Sequence, residues 1–244
     1  MPGRGAWSVS GRGGTLEYAP DGSTRPGPYY MLADDDDRLV GVGGWASPRA
    51  NRRAVHGAVI AYQRALNRLD RDHSLTVDGV YGEKTRDAVT RWQQAQPASA
   101  DIKVWGGIGP STSKGLLMPT LRATVRADLQ AVVCGVVTQE SMWDVGAVGF
   151  VDEHDVGLAQ INAQAHPDMS ERERLQPATC FEFVETYLTS SLDALDGNLQ
   201  DAIASYNLGV GGARSWIRDG RPDVWKSRNV RGYISTILNV CGES

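Results

Sequence analysis

Glu140 is the carboxylate whose surroundings ask for chemistry. In "QESMWDVGAVGFVDEHDVGLAQIN", residues 139 to 162, it follows the apolar run Val132, Val133, Val136 and Val137 by three to four residues, so it continues the same helix face. Desolvation there disfavours the charged form and raises the pKa, which suits a general acid working near neutral pH. The alternative is a structural glutamate bonded to nearby backbone amides, and Glu140 alone does not separate the two. Downstream, Gly157 would let backbone approach a ligand closely, while Gln160 and Asn162 offer amide donors and acceptors for hydroxyl and N-acetyl groups. Asp155 adds a second carboxylate, or belongs with Asp152 and Glu153 to an exposed acidic loop. His154 has no second histidine at ligand spacing, so no zinc site is expected, and no organic cofactor is implied.

The elements that must position these residues are mostly helical. From Arg53 the apolar period becomes that of a helix, with Val55, Val59, Tyr62, Leu66 and Leu69 on one face, and Ala88, Val89 and Trp92 mark a second. Leu121, Val125, Leu129 and the valines to Val137 trace one long stripe toward Glu140. Asn198 is placed to cap a helix through Leu199, Ile203 and Tyr206 that ends near Gly209, and Ser170 with Glu173 reads as a capping box. Phe183, Val184, Tyr187, Leu188, Leu192 and Leu195 form one further amphipathic face; Val230, Tyr233, Ile234, Ile237 and Leu238 form another. The first fifty or so residues differ: "TLEY", "PYYML" and "RLVGVGGW" suggest short strands or hairpins around Asp34 to Asp37, whose spacing suits a solvated turn better than a calcium cage.

The composition narrows the function. With 244 residues and 41% hydrophobic content the chain can build one large or two small cores, and a net charge of -4 gives no basic stripe for a nucleic-acid partner. Cys134, Cys180 and Cys241 are odd in number and far apart, as small buried hydrophobes are, although one pair could close in an oxidising compartment. The N-terminus "MPGRGAWSVSGRGG" lacks an apolar core of the signal-peptide kind, and no apolar run is long enough to span a bilayer.

An internal repeat organises the first helical region. Val77, Gly79, Gly82 and Thr85 of "VDGVYGEKT" align without a gap on Val104, Gly106, Gly109 and Thr112 of "VWGGIGPST", each followed by a helical segment. With "YQRALNRL", these stretches over Ala54 to Leu117 resemble the peptidoglycan-binding domain of bacterial and bacteriophage wall hydrolases, a small three-helix module. Trp105 stands where that family commonly has Asp, and "QPASAD" lacks the usual apolar residue. The glycines read as turns and Thr85 and Thr112 as helix starts. Tyr81, Trp92 and Trp105 are the candidates for stacking on sugar, with core packing the stronger role for Trp92.

"ESMW", "GLAQIN", "AIASYNLGVGG" and "GYISTIL", in that order over Leu121 to Cys241, resemble the catalytic domain of lytic transglycosylases, lysozyme-like enzymes that cut murein. The resemblance implies Glu140 as catalytic acid and base with Ser141 beside it. It implies substrate contacts at Gly157, Leu158, Gln160, Ile161, Tyr206, Asn207, Gly209 and Tyr233, although Leu158 and Ile161 read from their own chemistry as core. Tyr206 would project toward the glutamate, its hydroxyl orienting the acid. Ala159 replaces a methionine common in the family. "DVGLAQIN" is also similar to a lysozyme stretch in which the position of Asp155 is the second catalytic carboxylate, so a hydrolytic muramidase stays open beside a transglycosylase.

The architecture expected is mainly α: an N-terminal extension over 1–53, a peptidoglycan-binding module over 54–118 and a lysozyme-like catalytic domain over 119–244, with "MPT" from Met118 to Thr120 at the junction. The partner expected is the peptidoglycan glycan strand. The setting implied is a bacteriophage endolysin, passing from host cytoplasm to cell wall through a membrane lesion. The alternative is a virion or tail component whose residues 1–53 dock it to phage proteins.

Overall fold

The structure, a computed structural model, describes residues 48–100, 102–104, 106–149 and 154–242, together with four strands near the N-terminus. Asp34 to Asp37, Trp105, Asp152 and Glu153 lie outside the described residues, as does the side chain of Cys241. The strands β1 (Glu17–Tyr18) and β2 (Thr24–Arg25) pair antiparallel, as do β3 (Tyr29–Ala33) and β4 (Leu39–Gly43), whose register sets Tyr29 opposite Gly43 and Ala33 opposite Leu39. These are the hairpins expected from the alternating segments.

The helix α1 (Pro48–Leu69) buries Val59, Tyr62 and Leu66 on one face, while Leu69 at its end is exposed. Two turns then lead into α2 (Glu83–Gln94) and α3 (Pro110–Thr124), and both start behind an extended glycine, Gly82 or Gly109. The repeat goes deeper than its glycines. In the first copy, Gln63 accepts from the Asp78 and Gly79 amides and donates to Asp78 Oδ1, the Val80 carbonyl and Thr85. In the second, Gln93 accepts from the Gly106 amide and donates to the Gly107 carbonyl and Thr112. Both glutamines are 1% exposed. A glycine turn entering the core strands polar backbone, and a buried primary amide with two donors and two lone pairs satisfies it. Thr85 and Thr112 stand in the first turns of α2 and α3, at the helix starts as expected, and their hydroxyls are partners of these amides.

Two of the three candidate sugar-stacking aromatics can be placed, and both pack inward. Tyr81 is buried and its hydroxyl donates to the Gly106 carbonyl at 2.6 Å, joining one turn to the other. Trp92 lies across Gly115 of α3, where an added Cβ would stand 2.6 Å from its ring.

The second half contains α4 (Gln130–Ser141), the hairpin β5 (Asp155–Val156) and β6 (Ile161–Asn162), α5 (Glu171–Arg174), α6 (Pro177–Ala194), α7 (Leu199–Arg218), the hairpin β7 (Val224–Trp225) and β8 (Arg228–Asn229), and α8 (Val230–Gly242). Ser170 and Glu173 form the capping box, and Asn198 caps α7 through the Asp201 amide. As expected, the helical backbone that starts at Leu199 breaks at Gly209, where φ is 71° and ψ 157°, and a second helical stretch of α7 runs on from the kink to Arg218. The long stripe toward Glu140 is two helices, because the backbone turns extended at Val125 and restarts at α4. Leu121, Val125 and Leu129 are buried all the same, so burial continues while the helix does not.

Both expected junctions fall inside helices. Residues 53 and 54 lie within α1, and α3 runs unbroken through Met118 and Pro119. A single apolar core joins the two halves, from Val59 and Leu66 of α1 through Leu117 of α3 to Val133 of α4 and Ile237 of α8. Cys134 and Cys180 are free and buried, and burial pushes the Cys180 thiol up to about 12. Among the described residues no helix is long and apolar enough to cross a membrane.

The bracing role of Gln93 predicts that Gln93→Leu, which leaves the Gly106 amide and Gly107 carbonyl buried without this partner, lowers unfolding free energy by about 2 kcal/mol or more. Urea denaturation measures it. A loss below about 0.5 kcal/mol, the range of surface substitutions, would mean that the glycine geometry holds the turn unaided.

Candidate active site

The helix α4 carries an apolar surface and one acid. Val132, Val133, Val136 and Val137 are buried, and Glu140 follows in the last turn, half-buried. Gly135 decides what the acid meets. A Cβ at Gly135 would stand 2.6 Å from the Ile237 carbonyl, so only a glycine lets α8 lie this close to α4. The two helices run antiparallel, and one turn from Ile237 the Tyr233 hydroxyl donates to Glu140 Oε1 at 2.5 Å. The residue orienting the acid is thus Tyr233. Tyr206, expected in that role, donates instead to the Ala159 carbonyl at 2.7 Å and stacks edge-on against Tyr187, with centroids 5.1 Å apart.

Burial holds the Glu140 carboxyl above its ordinary value, the Tyr233 hydrogen bond pulls it partly back, and the negative charge of Asp155 raises it again. The C-terminal end of a helix, with its partial negative charge, disfavours a carboxylate further. Tyr233 is itself raised by burial and by the Glu140 charge, which keeps it a donor.

The turn after Glu140 is not made by glycines. Met142 and Trp143 take left-handed backbone at φ 52° and 66°, a conformation costly for side chains of that size. The Trp143 ring is buried against Phe181, and its Nε1 donates to Thr138 on α4. Asp144 is buried next to it. Its Oδ1 accepts from the Gly146 amide, its Oδ2 has no partner among the described residues, and desolvation raises its carboxyl well above the usual range.

Opposite Glu140 stands the β5–β6 hairpin. Asp155 is half-buried, its Oδ1 accepts from the Asn162 side chain at 2.9 Å, and its electrostatic reach includes Glu140. The Asn162 oxygen accepts from the Gln164 and Ala165 amides. Gly157 is required by protein rather than by ligand: at φ 77°, a Cβ would lie 2.1 Å from the Arg174 carbonyl. Leu158 and Ile161 are buried core, and Ser141, expected beside the acid, turns its hydroxyl back to the Val137 carbonyl. Gln160 is half-buried at φ 48°, with Nε2 on the Gly157 carbonyl. The Asn207 carbonyl accepts from Arg228, and Gly209 opens the kink that directs this end of α7. Sequence reasoning passed over Gly135, which carries no motif, and placed Tyr187 only on a helix face, not against Tyr206. It also passed over Arg174, whose guanidinium donates to the His154 and Ile161 carbonyls and so holds both hairpin strands.

Glu140, Tyr233, Tyr206 and Asp155 therefore share one site, with Asn162 behind Asp155. No group of metal-ligating side chains occurs among the described residues. A cavity of about 520 Å³ lined by His56, Ile60, Arg172 and Leu175 lies apart, between α1 and the α5–α6 region, and contains none of these groups.

Residues 122–223 match the family model "Transglycosylase SLT domain" and residues 55–112 match "Putative peptidoglycan binding domain". Searches of curated proteins and of solved structures gave no match. The chain thus joins a lytic transglycosylase domain to a peptidoglycan-binding module, and it is an enzyme acting on peptidoglycan. Tyr233 lies beyond the matched transglycosylase segment, and Ser113 just beyond the matched binding segment.

Two outcomes are expected. Tyr233→Phe removes a bond that favours ionised Glu140, so the Glu140 pKa rises and the alkaline limb of the activity profile moves to higher pH, while kcat falls about tenfold; a limb moving to lower pH would contradict the hydrogen bond's role. For Asp144, the folded pKa lies above the unfolded value of 3.8. Its contribution to stability is full below that value and is lost as pH rises toward the folded pKa. Asp144→Asn should therefore melt higher than wild type at pH 7, and the gap should close as pH falls toward about 4. A gap independent of pH would show that Asp144 is not held neutral.

Proposed function

We propose that the enzyme cleaves the β-1,4 bond between N-acetylmuramic acid and N-acetylglucosamine and closes a 1,6-anhydro ring, with Glu140 as both acid and base. Glu140 gives its proton to the glycosidic oxygen, the C1–O bond breaks, and the glucosamine leaves as its alcohol. The resulting carboxylate takes the proton of the C6 hydroxyl of the same muramic sugar. The C6 oxygen then bonds C1, Glu140 is protonated again, and no water is consumed. A half-buried carboxyl with a hydroxyl donor carries this reading: burial raises its pKa and so favours the protonated acid, and the Tyr233 bond steadies the carboxylate between the two transfers. Tyr206 walls the site beside Ala159, and Gln160 and Asn207 are the polar groups proposed to meet the glycan.

One observation supports a second reading. Asp155 is held by Asn162 and is near enough for its charge to act on Glu140. Two such carboxylates can run a retaining hydrolysis, with Asp155 stabilising or attacking the oxocarbenium-like centre and water completing the reaction. For setting, we propose lysis of a host wall by a bacteriophage endolysin, on the resemblance alone; a virion component is the alternative.

Mass spectrometry of fragments released from purified murein distinguishes the chemistries. Anhydro ends, one water lighter than reducing ends, are expected, and Glu140→Gln should lower release by at least about 10²-fold. Reducing ends would move Asp155 into the reaction, and full activity of Glu140→Gln would overturn both readings.

A further inference from the structure

The left-handed turn that follows Glu140 is clasped from outside its own domain. Tyr62 on α1 and Ser113 in the first turn of α3 are 1% and 2% exposed. The Ser113 hydroxyl donates to the Trp143 carbonyl at 2.5 Å. Its single proton is spent there, so the Tyr62 hydroxyl, 2.9 Å away, donates to Ser113. The Val145 amide in turn hydrogen-bonds the Tyr62 oxygen. Together Tyr62 and Ser113 satisfy the carbonyl before Asp144 and the amide after it, gripping the turn on both sides. Both groups lie just beyond the end of α4, next to the left-handed residues Met142 and Trp143.

We infer that Tyr62 and Ser113 are positioning residues for the reaction: the wall-binding half clasps the turn that ends α4 and so keeps Glu140 seated against Tyr233 and shielded from water. This rests on Glu140 being the acid. Trp143 is the lever arm, because its ring is anchored to Thr138 one side of Glu140 while its carbonyl is held by Ser113 on the other. Among the described residues, nothing in the catalytic half hydrogen-bonds the Trp143 carbonyl in place of Ser113. The turn could then relax to a less strained backbone, and the last turn of α4 would loosen with it.

The groups facing Glu140 are Tyr233 of α8, Tyr206 of α7 and Asp155 of β5, with Tyr187 of α6 behind the tyrosines and Asp144 in the turn itself. If the turn opens, hydration of Glu140 rises, and the acid moves back toward its ordinary value.

The test uses the full chain on soluble, peptide-free glycan strands, so that wall docking does not limit the rate. Ser113→Ala should lower kcat about tenfold with KM unchanged and move the alkaline limb to lower pH. Tyr62→Phe, which leaves the Ser113 bond to Trp143 in place, should do the same to a smaller degree. Asn67→Ala, which destabilises the same module by removing the Asn67 bonds to the Leu75 backbone more than a helical turn beyond Tyr62, should leave both kcat and the limb as in wild type. Glu140→Gln is measured alongside, and full activity there would overturn the Glu140 reading rather than the clasp alone. Folded Ser113→Ala and Tyr62→Phe with wild-type kcat and limb would overturn the inference, and if Ser113→Ala fails to fold, Tyr62→Phe decides.

Discussion

A carboxyl group at the end of an apolar helix is the constraint around which this molecule is arranged. Water would hold Glu140 ionised, and the surrounding protein replaces much of that water with side chains. The valines of α4 require cover, and α8 supplies it at a distance that only Gly135 permits. That approach then brings Tyr233 to the acid. One close helix contact thus both buries the acid and gives it a single donor. Burial raises the pKa and the donor limits the rise, a balance that suits the acid-and-base role proposed for Glu140.

The same logic of satisfying buried polar backbone recurs in the wall-binding half. Gln63 and Gln93 each hold a glycine turn inside the core, and Tyr81 ties one turn to the other. The half that grips murein and the half that cuts it share α3 and one apolar core, so they are not beads on a flexible string. An enzyme built this way presents its acid at a fixed place relative to the surface that docks it. The Tyr62 and Ser113 clasp is the polar counterpart of that shared core.

What could be read in the sequence was what depends on neighbours along the chain. The period of α1, the Ser170 and Glu173 box, the Asn198 cap and the place of Glu140 on an apolar face are all decided within a few residues. The repeat was legible for the same reason. Its glutamines were not, because a buried amide declares itself only when its distant partners are known. The choice between Tyr206 and Tyr233 was equally closed, since it turns on contacts across 93 residues. Gly157 carried the signal of a close approach, and the approach seen across 17 residues is that of the Arg174 carbonyl. The break at Val125 left no mark because apolar residues are buried on both sides of it, and the left-handed turn left none because Met142 and Trp143 are poor advertisements for such backbone.

The claim that burial keeps Glu140 protonated is open to direct measurement. Carbon-13 NMR titration of the folded enzyme labelled at glutamate side-chain carboxyls, with Glu140→Gln to assign the resonance, gives its pKa. The account predicts a midpoint clearly above the ordinary value of 4.5 and the highest of the glutamates in the described residues. A midpoint at or below that value would mean the carboxyl is already ionised at working pH, and the acid would have to be sought elsewhere.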